Sequence, residues 1–211
     1  MVFAPGTKQL YGNVTYHVLG MVIEQVTGRP YGESIRDGII RPLRLSGTTV
    51  PGADTRIHGP HARAYEAVTV DGRTKHIDVT KANPTFQWAA AEIVSTAPDL
   101  DRFLVALMSG ELLPPAQTAE LFAVPDVAAH DGDDDPANDV PAHFGGGIGR
   151  FAVAGVEFWG KTGDRPGFAS GVGAVRDLSR RLVYSLNTLH MGGDEQPETA
   201  RRIIAAASGV G

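Results

Sequence analysis

The sequence predicts an α+β fold, an α/β sandwich in which helices pack on an antiparallel sheet. Three observations predict it. Apolar residues recur at helical spacing through the first half of the chain, short glycine-punctuated runs of strand formers fill the second half, and an amphipathic helix closes it. Size and composition agree: 211 residues, 42% hydrophobic and 20% charged, are enough for a core and lie outside disordered, collagen-like and coiled-coil compositions. The reading is one domain, 1–211, with a mainly helical region at 1–125, an acidic loop at 126–141, and antiparallel strands with a closing helix at 142–211.

The elements follow in order. From Asn13, the spacing of Val14, Val18, Met21, Val22 and Val26 predicts a helix that Gly28 and Pro30 stop. Tyr31, Ile35, Ile39 and Ile40 predict a second short helix that ends before Pro42. The stretch 45–84 is irregular, with one hairpin turning at Asp71-Gly72. Thr96 and Asp99 read as a capping box, with Pro98 in the first turn, for a helix lined by Leu100, Phe103, Leu104 and Leu107 up to Gly110. A further helix runs from Pro115 to about Ala123. Strands are expected over 144–153, 156–162, 168–175 and 182–187, and a last helix from Pro197 carries Ala200, Ile203, Ile204 and Ala207 on one face.

Composition also excludes several functions. There is no cysteine, hence no disulfide, thiolate metal site or cysteine nucleophile. A formal charge of -5, from 19 basic and 24 acidic residues, leaves no footprint for nucleic acid or anionic membrane. The start "MVFAPGTKQLYGN" lacks the basic and apolar regions of a signal peptide and reads as the middle of a longer chain. Asp131, Asp133 and Asp135 alternate like a calcium loop, but Pro136 and Ala142 stand where such a loop needs glycine and a carboxylate. His58 and His61 have no third ligand near in sequence, so neither metal nor cofactor is expected.

Gly155, Gly160, Lys161 and Thr162 satisfy the phosphate-loop pattern G-x-x-x-x-G-K-[ST]. That loop must lead into a helix, whereas Val156-Glu157-Phe158-Trp159 is bulky and strand-forming, and Pro166 and Gly167 would break any helix after it. The nucleotide reading is therefore a chance match. At the end of a strand the same Lys161-Thr162-Gly163 places a cation, a hydroxyl and a bare backbone at a sheet edge.

This triplet, with Tyr11-Gly12-Asn13 ahead of the first helix, resembles two of the three active-site signatures of the serine β-lactamase and penicillin-binding-protein superfamily. The Tyr-x-Asn form resembles the branch of class C β-lactamases, D-alanyl-D-alanine carboxypeptidases and esterases. "GMVIEQVTG", "FGGGIGRF" and "WGKTGDRPGFASGVGAVRD" are similar to the same branch in the same order. The resemblance implies a β-lactamase/transpeptidase-like fold and a serine hydrolase that cuts amides or esters through an acyl-enzyme. It implies a small-molecule or peptidyl substrate (D-Ala-D-Ala-like, β-lactam or ester), no cofactor, and a location that in the family is mostly exported.

The resemblance also implies roles. Tyr11 matches the general base and acid, and since a phenol ionises near pH 10, such a base needs a flanking cation or a proton network. Lys161 would supply that charge and meet the substrate carboxylate with Thr162. Asn13 would orient the acyl side chain, Gly163 would let backbone approach, the Asp164 N–H would be an oxyanion donor, and Trp88 would wall the pocket. Singly, Asn13 reads as a helix N-cap, Tyr11 as a packed aromatic and Lys161 as a solvated strand end; jointly they favour the family. Asp164 departs from the pattern by bringing a carboxylate to a site that stabilises negative charge, unless it pairs with Arg165 or turns outward.

A second departure concerns the nucleophile. No Ser or Thr has Lys three residues later: Ser34 is followed by Asp37, Ser46 by Thr49, Ser95 by Pro98 and Ser170 by Gly173. In the family the Ser-x-x-Lys motif precedes Tyr-x-Asn, so the resemblance puts it upstream of Met1, in an N-terminal segment that also shares the sheet. Removing a serine nucleophile costs on the order of 10⁶ in kcat, so the expectation for this chain alone is an inactive fragment or a non-catalytic ligand-binding remnant.

Overall fold

The computed structural model describes residues 2–130, 139–153, 155–192 and 195–207. Asp131, Asp133 and Asp135 of the calcium-like pattern lie outside the described residues. A short strand β1 (Lys8–Gln9) leads into α1 (Asn13–Thr27), which Gly28 ends in the left-handed conformation at φ +65°. Then come α2 (Tyr31–Ile35), continued by a π-helical turn Arg36–Ile40, and the hairpin β2 (Tyr65–Val70) and β3 (Arg73–Asp78). Asp71 and Gly72 turn that hairpin with positive φ at both positions, as a tight antiparallel connection requires. The helices α3 (Trp88–Ala91), α4 (Ala97–Met108) and α5 (Pro115–Leu121) complete the helical region.

The main sheet is antiparallel in the order β6-β7-β8-β9, with β6 at Gly149–Val153, β7 at Val156–Arg165, β8 at Phe168–Ala174 and β9 at Arg181–Asn187; α6 (Glu195–Ala207) follows it. Helix α4 packs on one sheet face, burying Leu104 and Met108 against Ile148, Trp159 and Ala174. Phe122 meets Trp159 edge-on, with ring centroids 5.1 Å apart, and carries the Arg176 guanidinium 3.6 Å from its own ring centroid. Two residues of β4 (Ala128–Ala129) join β1 in parallel and β5 (Val140–Pro141) in antiparallel, a small second sheet with no sequence signal of its own.

The structure corrects several expectations. The strand expected from 144 begins at Gly149, because a Cβ on Gly145 would lie 2.3 Å from the Leu121 carbonyl oxygen and Gly147 sits at φ +118°. Helix α1 forms where its periodicity says, yet Val14, Val18, Met21, Val22 and Val26 are all exposed, from 50% to 79%. Only half of the expected capping box exists. Thr96 Oγ1 accepts the Asp99 N–H at 3.4 Å, but the buried Asp99 carboxylate turns to Gly47 N–H at 2.7 Å and the Thr48 hydroxyl at 2.8 Å.

A second buried carboxylate ties the helical layer. Glu92, 3% exposed, accepts from the Tyr31 hydroxyl through one oxygen and from Gly52 N–H through the other. Glu24 accepts the Tyr31 N–H at 3.0 Å, so α1, α2, the loop at 52 and the end of α3 are joined at one tyrosine. Burial first, and the bonded Glu92 second, push the Tyr31 phenol far above its ordinary value. The fold therefore needs this phenol neutral: its contribution is intact below pH 10 and is lost as pH rises beyond that. Tyr31→Phe, which strands the Glu92 carboxylate, is expected to cost about 1–3 kcal/mol in chemical denaturation. It should also flatten the fall in stability above pH 10; an unchanged alkaline limb would show that Tyr31 is not its source.

Candidate active site

The site grows out of strand β7. Its β8 edge is paired all along, from Trp159↔Ala174 to Arg165↔Phe168. Its β6 edge is paired only from Val153↔Val156 to Gly149↔Gly160. From Lys161 to Arg165 that edge has no strand partner among the described residues. The tight pairing beside it depends on bare glycine: a Cβ on Gly160 would lie 2.2 Å from the Val172 carbonyl oxygen. The Gly160-Lys161-Thr162 run is thus extended strand with no helix after it, which disposes of the phosphate-loop reading.

Tyr11 comes to this open edge from the other end of the sequence. Lys161 Nζ lies 4.7 Å from the Tyr11 ring centroid and donates to the Thr162 carbonyl at 2.7 Å. Among the described residues it has no carboxylate partner. Tyr11 stacks on Phe144, centroids 5.1 Å apart and planes 26° apart, and tilts against Tyr16 at 5.9 Å. Burial, and secondarily the neighbouring Tyr11, hold the Tyr16 phenol above its ordinary value, so it stays a neutral donor.

Asn13 lies one turn away at the start of α1. It does not cap the helix: the cap position is Gly12, in extended conformation and without a side-chain bond. The exposed Asn13 amide has no hydrogen-bond partner among the described residues. Helix α1 is seated by another bare glycine. A Cβ on Gly20 would stand 2.6 Å from Ala89 Cβ and 3.0 Å from the Trp88 ring, so α1 and α3 meet backbone to side chain.

Strand alternation sorts the remaining predicted residues. Lys161 and Gly163 share the face of Trp159 and Val172, toward α4 and Tyr11. Thr162 and Asp164 point to the opposite face, where the Tyr184 ring crosses Gly171, 2.4 Å from where its Cβ would be. Burial, with the Asp164 charge as a further cause, raises the Tyr184 phenol above its ordinary value. Asp164 and Arg165, as neighbours on the strand, point to opposite faces. Trp88 takes a different place from the others: its ring contacts are Tyr31, edge-on at 5.0 Å, and His17 at 6.3 Å, between α1 and α2. His58 and His61 are engaged by Asp54 and the Gly59 carbonyl, and the described residues contain no group of three or more metal-ligating side chains.

One residue of the site escaped sequence reasoning. Gln9 Nε2 donates to the Phe144 carbonyl at 2.7 Å, and its Oε1 accepts from Phe144 N–H at 2.9 Å and His143 N–H at 3.2 Å. The amide clamps the segment whose aromatic ring carries Tyr11. Its two ends are over 130 residues apart, and no local pattern marks such a contact.

An α+β fold with Tyr-x-Asn and Lys-Thr-Gly converging on an open strand edge defines the serine β-lactamase and penicillin-binding-protein superfamily. Within it, the family model described as beta-lactamase matches residues 1–207, and the chain belongs to that family. A D-stereospecific amidohydrolase from Streptomyces superimposes with a TM-score of 0.79 at 32% identity, over 94% of this chain and 56% of that one. A D-amino acid amidase from Ochrobactrum anthropi SV3, complexed with D-phenylalanine, shares the fold at a TM-score of 0.70 and 24% identity, over 94% of this chain and 58% of its own. A 73-residue stretch is 41% identical to an Escherichia coli (strain K12) protein named "Putative D-alanyl-D-alanine carboxypeptidase", covering 35% of this chain and 16% of that protein. The chain thus spans little more than half of the solved structures and a smaller part of the curated relative.

The clamp gives a direct test. Gln9→Ala removes three hydrogen bonds and is expected to destabilise the chain by about 1–3 kcal/mol in urea unfolding. Cross-peaks between the Tyr11 and Phe144 rings in NMR spectra should vanish with it, and their survival would mean that the ring pair does not depend on Gln9.

Proposed function

We propose that this chain carries the base and substrate edge of a serine hydrolase that cleaves amide or peptide bonds through an acyl-enzyme. The observation that supports it best is the Lys161 ammonium lying 4.7 Å over Tyr11 beside a strand edge left open from 161 onward. Tyr11 acts as general base and acid, with Lys161 as the adjacent cation such a phenol needs. Lys161 meets the substrate carboxylate from the groove face, Thr162 stands behind the strand and is left out of that contact, and the free Asn13 amide orients the acyl group. The bare Gly163 lets the substrate lie along β7, and the Asp164 N–H is one oxyanion donor. The amidohydrolase and amidase likenesses favour small D-amino-acid amides or D-alanyl peptides as substrates, with β-lactams and esters as further acyl donors.

The nucleophile is supplied from outside these residues, as Ser-x-x-Lys on a segment that packs against the exposed face of α1. The reading places the enzyme outside the cytoplasm, as a cell-envelope or secreted hydrolase. A second reading, a non-catalytic binder of the same ligands, is favoured by the absence of Ser-x-x-Lys from all 211 residues. The DNA immediately upstream discriminates the two: in-frame codons for Ser-x-x-Lys support the enzyme, and a stop codon without them supports the binder.

Three outcomes are expected in solution. In the longer product, Tyr11→Phe should lower kcat on a D-amino-acid amide by 10²–10⁴, roughly the contribution of general acid–base catalysis, while KM changes little. This chain alone should take no covalent label from fluorescent penicillin, and a labelled band would exclude the binder reading. The uncovered Val14, Val18, Met21, Val22 and Val26 should also make the chain self-associate, as light scattering would report. A monodisperse monomer at high concentration would show that the α1 face needs no cover.

A further inference from the structure

The residue that the proposed mechanism leaves unused is Arg165. It closes β7 two residues beyond Gly163 and four beyond Lys161, so strand alternation gives all three the same face. The side chain is half-buried, and its Nη1 is fully shielded from solvent with no hydrogen-bond partner among the described residues. No carboxylate forms an ion pair with it there: Asp164 stands on the opposite face, and both bonds from Gly167 and Met191 N–H occupy Glu66. A guanidinium is costly to shield without an anion or acceptor, and burial alone already holds this one below its ordinary value. Helix α3 contacts β7, and the open edge proposed as the substrate groove runs from Lys161 to Arg165.

We propose that Arg165 is the second anion-binding point of this groove, recognising a carboxylate on the acyl side of the substrate while Lys161 holds the C-terminal carboxylate. The inference rests on the reading of the groove given above and adds a substrate class to it: N-acyl D-peptides with an acidic acyl group. Dimensions agree. Four strand residues span about 13 Å, and two extended residues plus a four-carbon diacid place their terminal carboxylates about 12–13 Å apart. Arginine suits the task because its fork binds a carboxylate bidentately and stays charged even when partly shielded.

The test is a ligand-observed NMR titration of the whole chain with N-succinyl-D-alanyl-D-alanine and with its neutral twin, the N-succinamyl peptide. The succinyl peptide is expected to bind about tenfold tighter. Arg165→Gln should abolish that preference and leave the affinity for the neutral peptide unchanged, which also reports that the variant is folded. Arg165→Lys should keep part of the preference, and Lys161→Gln should weaken both peptides alike. Equal binding of the two peptides, or a preference that survives Arg165→Gln, overturns the role of Arg165 and leaves the groove reading intact. Binding of neither peptide overturns both.

Discussion

Everything at the candidate site depends on one strand being paired to different lengths on its two edges. β8 holds β7 for its whole run, whereas β6 stops at Gly160. Backbone N–H and C=O groups beyond that point are held by β8 yet lack a strand partner on the other edge among the described residues, the condition under which an extended ligand can add itself to a sheet. Glycine makes the difference sharp. A Cβ on Gly160 would run into Val172 and Gly173 of β8, so β7 and β8 stay tightly joined up to the place where β6 leaves off. Gly145 does the same on the approach, letting the chain cross the end of α5 before β6 begins.

The placement of charge follows the same division of labour. The two buried carboxylates, Glu92 and Asp99, are consumed in holding loops to helices, Glu92 by Tyr31 and Gly52, and Asp99 by Gly47 and Thr48. Neither is available to neutralise a cation on β7. The lysine at the open edge, without a carboxylate partner among the described residues, lies against Tyr11 instead. Buried acids in this fold are structural cement, while Lys161 is left facing Tyr11 at the open edge.

Much of this was legible in the sequence wherever the signal is local. Asp71-Gly72 named its hairpin, Gly28 its helix end, and Thr96 with Pro98 the start of α4. The pairing of Tyr11 with Lys161 came from resemblance, because 150 residues separate them and no spacing rule joins them. What failed has a common cause. The apolar spacing of α1 predicts a helix but not what covers it, and its face is open here. Asp99 was given to its own helix N-terminus, but a loop 50 residues earlier offered two better-placed donors. Gln9 carries no signature at all, since its worth lies in Phe144, a residue that only the folded chain brings near.

Asp164 shows how geometry can reverse a sequence-level worry. Read as a string, Lys-Thr-Gly-Asp sets a carboxylate next to the point where negative charge must be stabilised, and within a few ångströms in water such a charge opposes an oxyanion by about 1 kcal/mol or more. A strand, however, sends successive side chains to opposite faces. The backbone N–H of Asp164 belongs to the edge, while its carboxylate lies behind the strand with Thr162, on the side of Tyr184. Tyr184 reaches that side only because Gly171, directly opposite Thr162, leaves its path clear. The same alternation that hides the acid presents Lys161, Gly163 and Arg165 together on the groove face, so one residue's shift in register would exchange an anion-binding edge for an acidic one.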